Sequence, residues 1–411
     1  MNFIRHYTQP LLLKICLFGF ASGLSLMLSG NSLNFWLTKL GLSTITIGLF
    51  SLAALPYAFK FIWAPFVDLV EIPLLTRRYG RRLSWIIVSQ LCLIISLLCL
   101  GVTDPATSII QTAILGFIIA FTSVTQDISL DALRVNSLND QNKGLVSSMY
   151  ILGYRIGMLC SGGGAIYLST FLSWGQVYMV LAGIVFINLV TIFYSCQNME
   201  ENITTEKNQA LQTFSDIVAK CKSSFINIKQ LTITLLFIIL YNLSDNIILA
   251  MSNPFFLSVG FDEKEIVKAA KVFGLAANLF GNFISGYFLR NMSIYKALLV
   301  FGSIHLITHI LFIVQSLIGH NLNFLYLTMG MENFTSGMAM AAFITFITGL
   351  CSGRFAGTQY SIYSSMMGIS RVIIPSISGF LVVKFDWPYF FLINVIIATI
   401  PLMLIPMLKK K

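Results

Sequence analysis

Asp127, Asp131 and Arg134 stand at i, i+4 and i+7 in the stretch Gln126-Asp-Ile-Ser-Leu-Asp-Ala-Leu-Arg134. On a helix this spacing puts two carboxylates and a guanidinium on one face. The stretch ends an apolar run that begins near Ala106. An acid at the centre of a bilayer costs about 2.5–3.5 kcal/mol on insertion scales, and such residues mark pathways for ions, protons or polar solutes. Asp127 is the first candidate to take up and release a proton. Asp131 lies nearer one end of the run, as an exit relay or gate, and Arg134 is placed to pair with it at i+3.

Other ionisable residues fall inside apolar runs. Asp245 lies among Asn242, Ser244 and Asn246; Lys60, Arg155, Glu332 and Arg371 lie in four further runs. Asp127 and Arg155 are equidistant from Gln141. Two antiparallel helices turning there would hold the pair at one depth, about 21 Å along the axis at 1.5 Å per residue. Glu332 and Arg371 are equidistant from a point between Cys351 and Ser352, so each half is expected to pair an acid with an arginine. Asp245 and Glu332 join Asp127 and Asp131 as proton-coupling candidates. His305 and His309 stack at i, i+4, and a packing or interfacial role is expected for them. The seven cysteines show no metal-like spacing and read as packing residues. No metal site and no cofactor are expected; the proton is the coupling ion.

The elements that must position these groups follow from composition. The chain has 411 residues, 56% hydrophobic and 10% charged, with mean hydropathy +0.82. A soluble protein carries about 25% charged residues. Apolar runs of about 20 residues, the length of a membrane-crossing helix, recur throughout. About twelve are read, near 11–38, 44–69, 83–102, 107–136, 144–170, 175–196, 230–258, 266–289, 294–317, 321–350, 355–384 and 387–408. Strands would alternate in segments of about 10 residues, and these runs do not. The predicted fold is an all-α integral membrane protein with 12 transmembrane helices. The first run is too long for a signal-peptide core and reads as a retained helix.

The net charge of +10 does not point to nucleic acid. With the N-terminus inside, about seventeen Lys or Arg fall on the cytoplasmic side and about five outside. Both termini are then cytoplasmic. A polar stretch at 197–229 reads as a linker between two six-helix bundles, 1–196 and 230–411, the layout of major facilitator transporters.

Longer segments carry a resemblance. They are Phe20-Ala-Ser-Gly-Leu24, Leu55-Pro-Tyr-Ala-Phe-Lys-Phe-Ile-Trp-Ala-Pro-Phe-Val-Asp68, Thr125-Gln-Asp-Ile-Ser-Leu-Asp-Ala-Leu-Arg134, Gly153-Tyr-Arg-Ile-Gly157, Glu332-Asn-Phe334 and Phe355-Ala-Gly-Thr-Gln-Tyr360, followed by Ser370-Arg371. With them the chain resembles the AmpG family, the muropeptide permeases of the major facilitator superfamily. Asp68 followed by Arg78, Arg81 and Arg82 is similar to the superfamily's gate and topology motif, with an insertion between acid and basic cluster. Ser25 and Leu133 stand where family members often have proline and tyrosine.

The resemblance implies proton-driven import of anhydro-muropeptides across the inner membrane by a monomer in membrane lipid. Lys60, Arg155 and Arg371 are suited to the peptide carboxylates of such a glycopeptide. Trp36, Tyr57, Trp63, Tyr154 and Tyr360 are suited to sugar faces. A permease for another anionic or sugar-like solute is the nearest alternative. A polytopic membrane enzyme and a non-transporting sensor rank behind it, because the predicted loops carry no metal triad or Ser/His/Asp set.

Overall fold

A computed structural model of the protein describes residues 9–41, 50–137, 143–196, 228–353, 355–372 and 378–408. The linker expected at 197–229 lies outside them up to residue 227. All regular structure among the described residues is helical. In chain order the α-helices are α1 Pro10–Leu28, α2 Asn31–Lys39, α3 Leu55–Phe59, α4 Ala64–Leu69, α5 Leu75–Tyr79, α6 Arg81–Val102, α7 Ile109–Asn136, α8 Lys143–Leu159, α9 Ala165–Leu168 and α10 Trp174–Cys196. They continue as α11 Ile228–Tyr241, α12 Leu243–Ser258, α13 Glu263–Ile266, α14 Gly274–Phe288, α15 Ile294–Ile318, α16 Leu322–Leu350, α17 Ala356–Val372 and α18 Ser378–Leu408.

Among the described residues, eight helical spans are long and apolar enough to cross a membrane. Where described, the remaining expected runs are helical but shorter or interrupted. Prolines explain the second run. Pro56 and Pro65 sit in the first turns of α3 and α4. A proline lacks the amide hydrogen a continuing helix needs and clashes with the carbonyl four residues back. The chain between them relaxes into the 3-10 turn Lys60–Ile62, which places Lys60. The five-residue π turn Cys160–Gly164 joins α8 to α9, and another at Val267–Phe273 joins α13 to α14. At Asp386, with φ 58° and ψ 170°, α18 kinks. Twelve runs are consistent with this architecture.

The described residues pack as two units. One lies within 1–138, 149–224 and 350–365, the other within 139–148, 225–349 and 366–411. In the first, Gly19 and Gly23 of α1 meet the backbone of Tyr150 and Tyr154 on α8, while Gly153 and Gly157 meet Cys16 and Phe20. Small residues four apart on both helices let the backbones touch. A second core gathers Leu28, Trp36, Leu97, Ile119, Tyr178 and Leu181. The Tyr178 hydroxyl donates to the Leu28 carbonyl at 3.0 Å.

The other unit repeats the device. Gly281 of α14 and Gly337 of α16 face the backbones of Phe334 and Asn278, and Ser285 Oγ donates to the Met338 carbonyl at 3.0 Å. Phe255, Phe256, Phe312, Phe390 and Phe391 form its aromatic core. In both units large apolar side chains such as Ile95, Phe186, Leu249 and Val383 point outward, while polar ones such as Ser123, Asp131, Arg134, Asn282, His309 and Thr328 are buried. That inversion suits hydrocarbon surroundings.

Candidate functional site

In the first unit the charges converge on α7. From Thr122 to Val135 every side chain of α7 is buried. Arg134, 0% exposed, places Nη2 2.9 Å from Asp131 Oδ1. Its guanidinium also stacks over the rings of Tyr150 and Tyr360, at 4.0 and 4.6 Å. Lys60 Nζ lies 3.8 Å from Asp131 Oδ2 and 5.8 Å from the centre of the Tyr360 ring. Asp131 is thus held from both sides by cations on separate elements.

Asp127 sits one turn along the same face, 9% exposed. The charges that act on it most strongly are those of Lys60, Asp131 and Arg134. Lys60 is the cation that acts on Asp127 most strongly. Arg155 is part-buried on α8. Asp127 Oδ1 has no hydrogen-bond partner, and neither do Gln126 Oε1 and Nε2, Ser22 Oγ, Ser29 Oγ, Ser129 Oγ or Arg134 Nη1. Buried polar groups are normally paired, so orphan atoms on Asp127 and Arg134 themselves suit a polar ligand. The Tyr57 hydroxyl lies beside Ser25, Ser123 and Asp127 without an aligned hydrogen bond.

Asp68 closes a second feature of this unit. Its Oδ2 accepts from both the backbone N–H and the Oγ1 of Thr358, each at 2.7 Å. Thr358 is in the first turn of α17, where amides lack helical partners and a negative charge is stabilising. Gly357 lies directly against Asp68 and Ile128. Arg82 is buried and donates through Nη1 to the Ala132 carbonyl at 3.0 Å. Arg81 is part-buried, and Arg78 is exposed over the Tyr79 ring.

The expected aromatic residues divide. Tyr360 flanks Lys60 and Arg134, and Tyr154 stacks on Tyr150 at 6.4 Å. Trp63 packs on Phe121 at 4.9 Å, with Nε1 donating to Thr125 Oγ1 at 3.3 Å. Trp36 lies apart in the hydrophobic core, stacked on Trp174 at 6.1 Å.

The second unit holds a different cluster. Asp245 on α12, His305 and His309 on α15, and Glu332 on α16 bring one donor atom each within 4.8 Å of the others. His305 Nε2 is 2.6 Å from Asp245 Oδ1, and His309 Nε2 is 3.3 Å from the same oxygen. Both Nε2 atoms lie 4.0 Å from Glu332 Oε1, and Glu332 Oε2 accepts from Thr308 Oγ1 at 2.7 Å. Two expectations are corrected here. Glu332 meets the histidines rather than Arg371, which stands exposed near the end of α17. The histidines are not packing residues but face both acids. Their i, i+4 spacing in an apolar run was the available signal. The acids they meet lie on other helices, beyond the reach of a spacing rule.

A family model described as Major Facilitator Superfamily matches residues 15–331. The transporter named AmpG 1 of Rickettsia bellii is 40% identical over 403 residues, covering 97% of this chain and 98% of that protein. The chain belongs to the AmpG family of the major facilitator superfamily. The AmpG-family chain is also 30% identical, over 406 residues, to the anhydromuropeptide permease of Escherichia coli, with 98% of this chain and 81% of the permease covered. The crystal structure of the major facilitator transporter FucP shares its fold. The TM-score is 0.66 at 14% identity, over 98% of this chain and 100% of FucP. This AmpG-family protein is a multi-pass membrane transporter, not an enzyme.

Proposed function

We propose that this protein is a proton-coupled permease that imports anhydro-muropeptides across the inner membrane by alternating access, with both termini in the cytoplasm. The cargo class rests on the resemblance to the Escherichia coli permease. The observation that carries the site is the buried charge cluster of α7, in which Asp127 Oδ1 and Arg134 Nη1 have no hydrogen-bond partner.

Charge bookkeeping gives the coupling. Lys60 and Arg134 balance Asp127 and Asp131 when both acids are ionised. A proton on Asp127 leaves one positive charge in excess. A carboxylate on the cargo peptide restores neutrality by accepting from Lys60 or from the free Nη1 of Arg134. Proton and anionic cargo therefore favour each other, which is the requirement for symport. Gln126, Ser22, Ser29 and Ser129 supply donors and acceptors for sugar hydroxyl and acetamido groups. Tyr360, Tyr57 and Tyr154 supply ring faces. Asp68, through Thr358, acts as a gate latch.

Uptake of labelled anhydro-muropeptide by proteoliposomes under an imposed pH gradient tests the reading. Accumulation that unlabelled muropeptide suppresses and simple sugars or dicarboxylates do not is expected. Accumulation of another anionic or sugar-like solute, without muropeptide, would overturn the cargo assignment.

A further inference from the structure

We infer that Asp245, His305, His309 and Glu332 form a binding site for one divalent transition metal ion of zinc type, separate from the α7 cluster. The argument begins with the tautomers. His309 Nδ1 lies 2.9 Å from the His305 carbonyl oxygen, which can only accept, so Nδ1 carries the hydrogen. His305 Nδ1 lies 2.8 Å from Thr335 Oγ1. That hydroxyl gives its own hydrogen to the Met331 carbonyl at 2.9 Å, so it accepts from the ring. In the neutral form both histidines therefore turn an Nε2 lone pair toward the carboxylates of Asp245 and Glu332.

A lone pair facing a carboxylate is satisfied by a cation between them, either a proton or a metal ion. His309 Nε2 is buried without a hydrogen-bond partner, although Asp245 Oδ1 is only 3.3 Å away. His309 itself is 1% exposed. With neutral imidazoles the cluster bears two negative charges inside a membrane-spanning unit, which one divalent ion cancels. Zinc–nitrogen and zinc–oxygen bonds of about 2.0–2.1 Å imply tetrahedral donor separations of about 3.3 Å. The observed separations of 2.6, 3.3, 4.0 and 4.0 Å straddle that value.

The surrounding contacts match those of metal ligands, whose second atoms are tied down. His309 is held by a carbonyl, His305 by Thr335, and Glu332 Oε2 by Thr308 at 2.7 Å. A cavity lined by Tyr241, Asn242, Ser244, Gly302 and Leu402 reaches Asp245 and both histidines. The Tyr241 hydroxyl donates to the Leu298 carbonyl at 3.3 Å. The two histidines share α15, while the acids come from α12 and α16, beyond the reach of a spacing rule. A bound ion joins these three helices.

The test uses the full-length protein purified in detergent, stripped with a chelator and titrated with Co²⁺, then with Zn²⁺ in competition. One Co²⁺ per chain is expected, with the intense visible absorption of a tetrahedral site, bleached by Zn²⁺. Glu332→Gln and His309→Leu should abolish it. Thr335→Val, which keeps all four ligands, should weaken Zn²⁺ binding by about 10–100-fold. Failure of the wild-type chain to take up Co²⁺ would overturn the proposal and leave protons to balance the acids. Equal uptake by both ligand variants, an adventitious ion only, would overturn it as well. Neither result bears on muropeptide uptake, which is read separately.

Discussion

Arg134 and Asp131, one turn apart on α7, form a fully buried ion pair with Nη2 2.9 Å from Oδ1. The guanidinium is also clamped between the rings of Tyr150 and Tyr360. Removing one partner of such a pair strands a charge and costs about 3–5 kcal/mol, whereas replacing both with apolar residues is nearly neutral. Arg134→Met alone should therefore lower thermal stability sharply in detergent. Arg134→Met with Asp131→Leu should recover most of it without restoring transport. Equal instability of the single and double variants would show that the aromatic clamp, not the pair, holds the helix.

Asp68 contributes through the start of α17. Its carboxylate accepts two hydrogen bonds from Thr358 at 2.7 Å. Hydrogen bonds to a charged group contribute about 1.5–3 kcal/mol each. In Asp68→Ala, amide hydrogen exchange at residues 356–360 should accelerate by one to two orders of magnitude on this basis. Asp68→Asn keeps an acceptor and should show a smaller effect. Unchanged exchange in Asp68→Ala would remove the capping role.

The contact of α1 with α8 depends on glycine. A Cβ on Gly23 or Gly153 would run into the backbone of Tyr154 or Cys16, whereas one on Gly163 meets nothing. A backbone obstacle cannot rotate away, so Gly23→Ala and Gly153→Ala should cost several kcal/mol, above the usual 1–3 kcal/mol of overpacking. Gly163→Ala should be silent. Fluorescence-detected size exclusion and melting of the three variants check this ordering.

Much of this was legible in the sequence. Hydropathy exposed the intramembrane charges because each interrupts an apolar run, and i,i+3 spacing placed Arg134 on Asp131. The prolines at 56 and 65 were visible too, but their effect on Lys60 was not. A break in the helix decides where that lysine points. Equal depth of Glu332 and Arg371 suggests a pair, but depth fixes position along an axis and says nothing of rotation about it, and Glu332 meets the histidines instead. The histidine cluster and the Asp68–Thr358 contact join residues 60 and 290 positions apart, which no local pattern encodes. Fold class rested on composition and run length, properties every residue contributes to, and so survived these local misreadings.

The coupling scheme places the transported proton on Asp127, whose Oδ1 has no hydrogen-bond partner and whose charge is set chiefly against that of Lys60. Asp127→Asn fixes the neutral state while keeping the shape. In proteoliposomes loaded with unlabelled muropeptide, this variant should exchange labelled muropeptide at close to the wild-type rate. Given a pH gradient, acid outside, the wild-type protein should accumulate cargo above equilibrium and Asp127→Asn should not. Gradient-driven accumulation by Asp127→Asn equal to that of the wild type would contradict the account and move the proton to another residue.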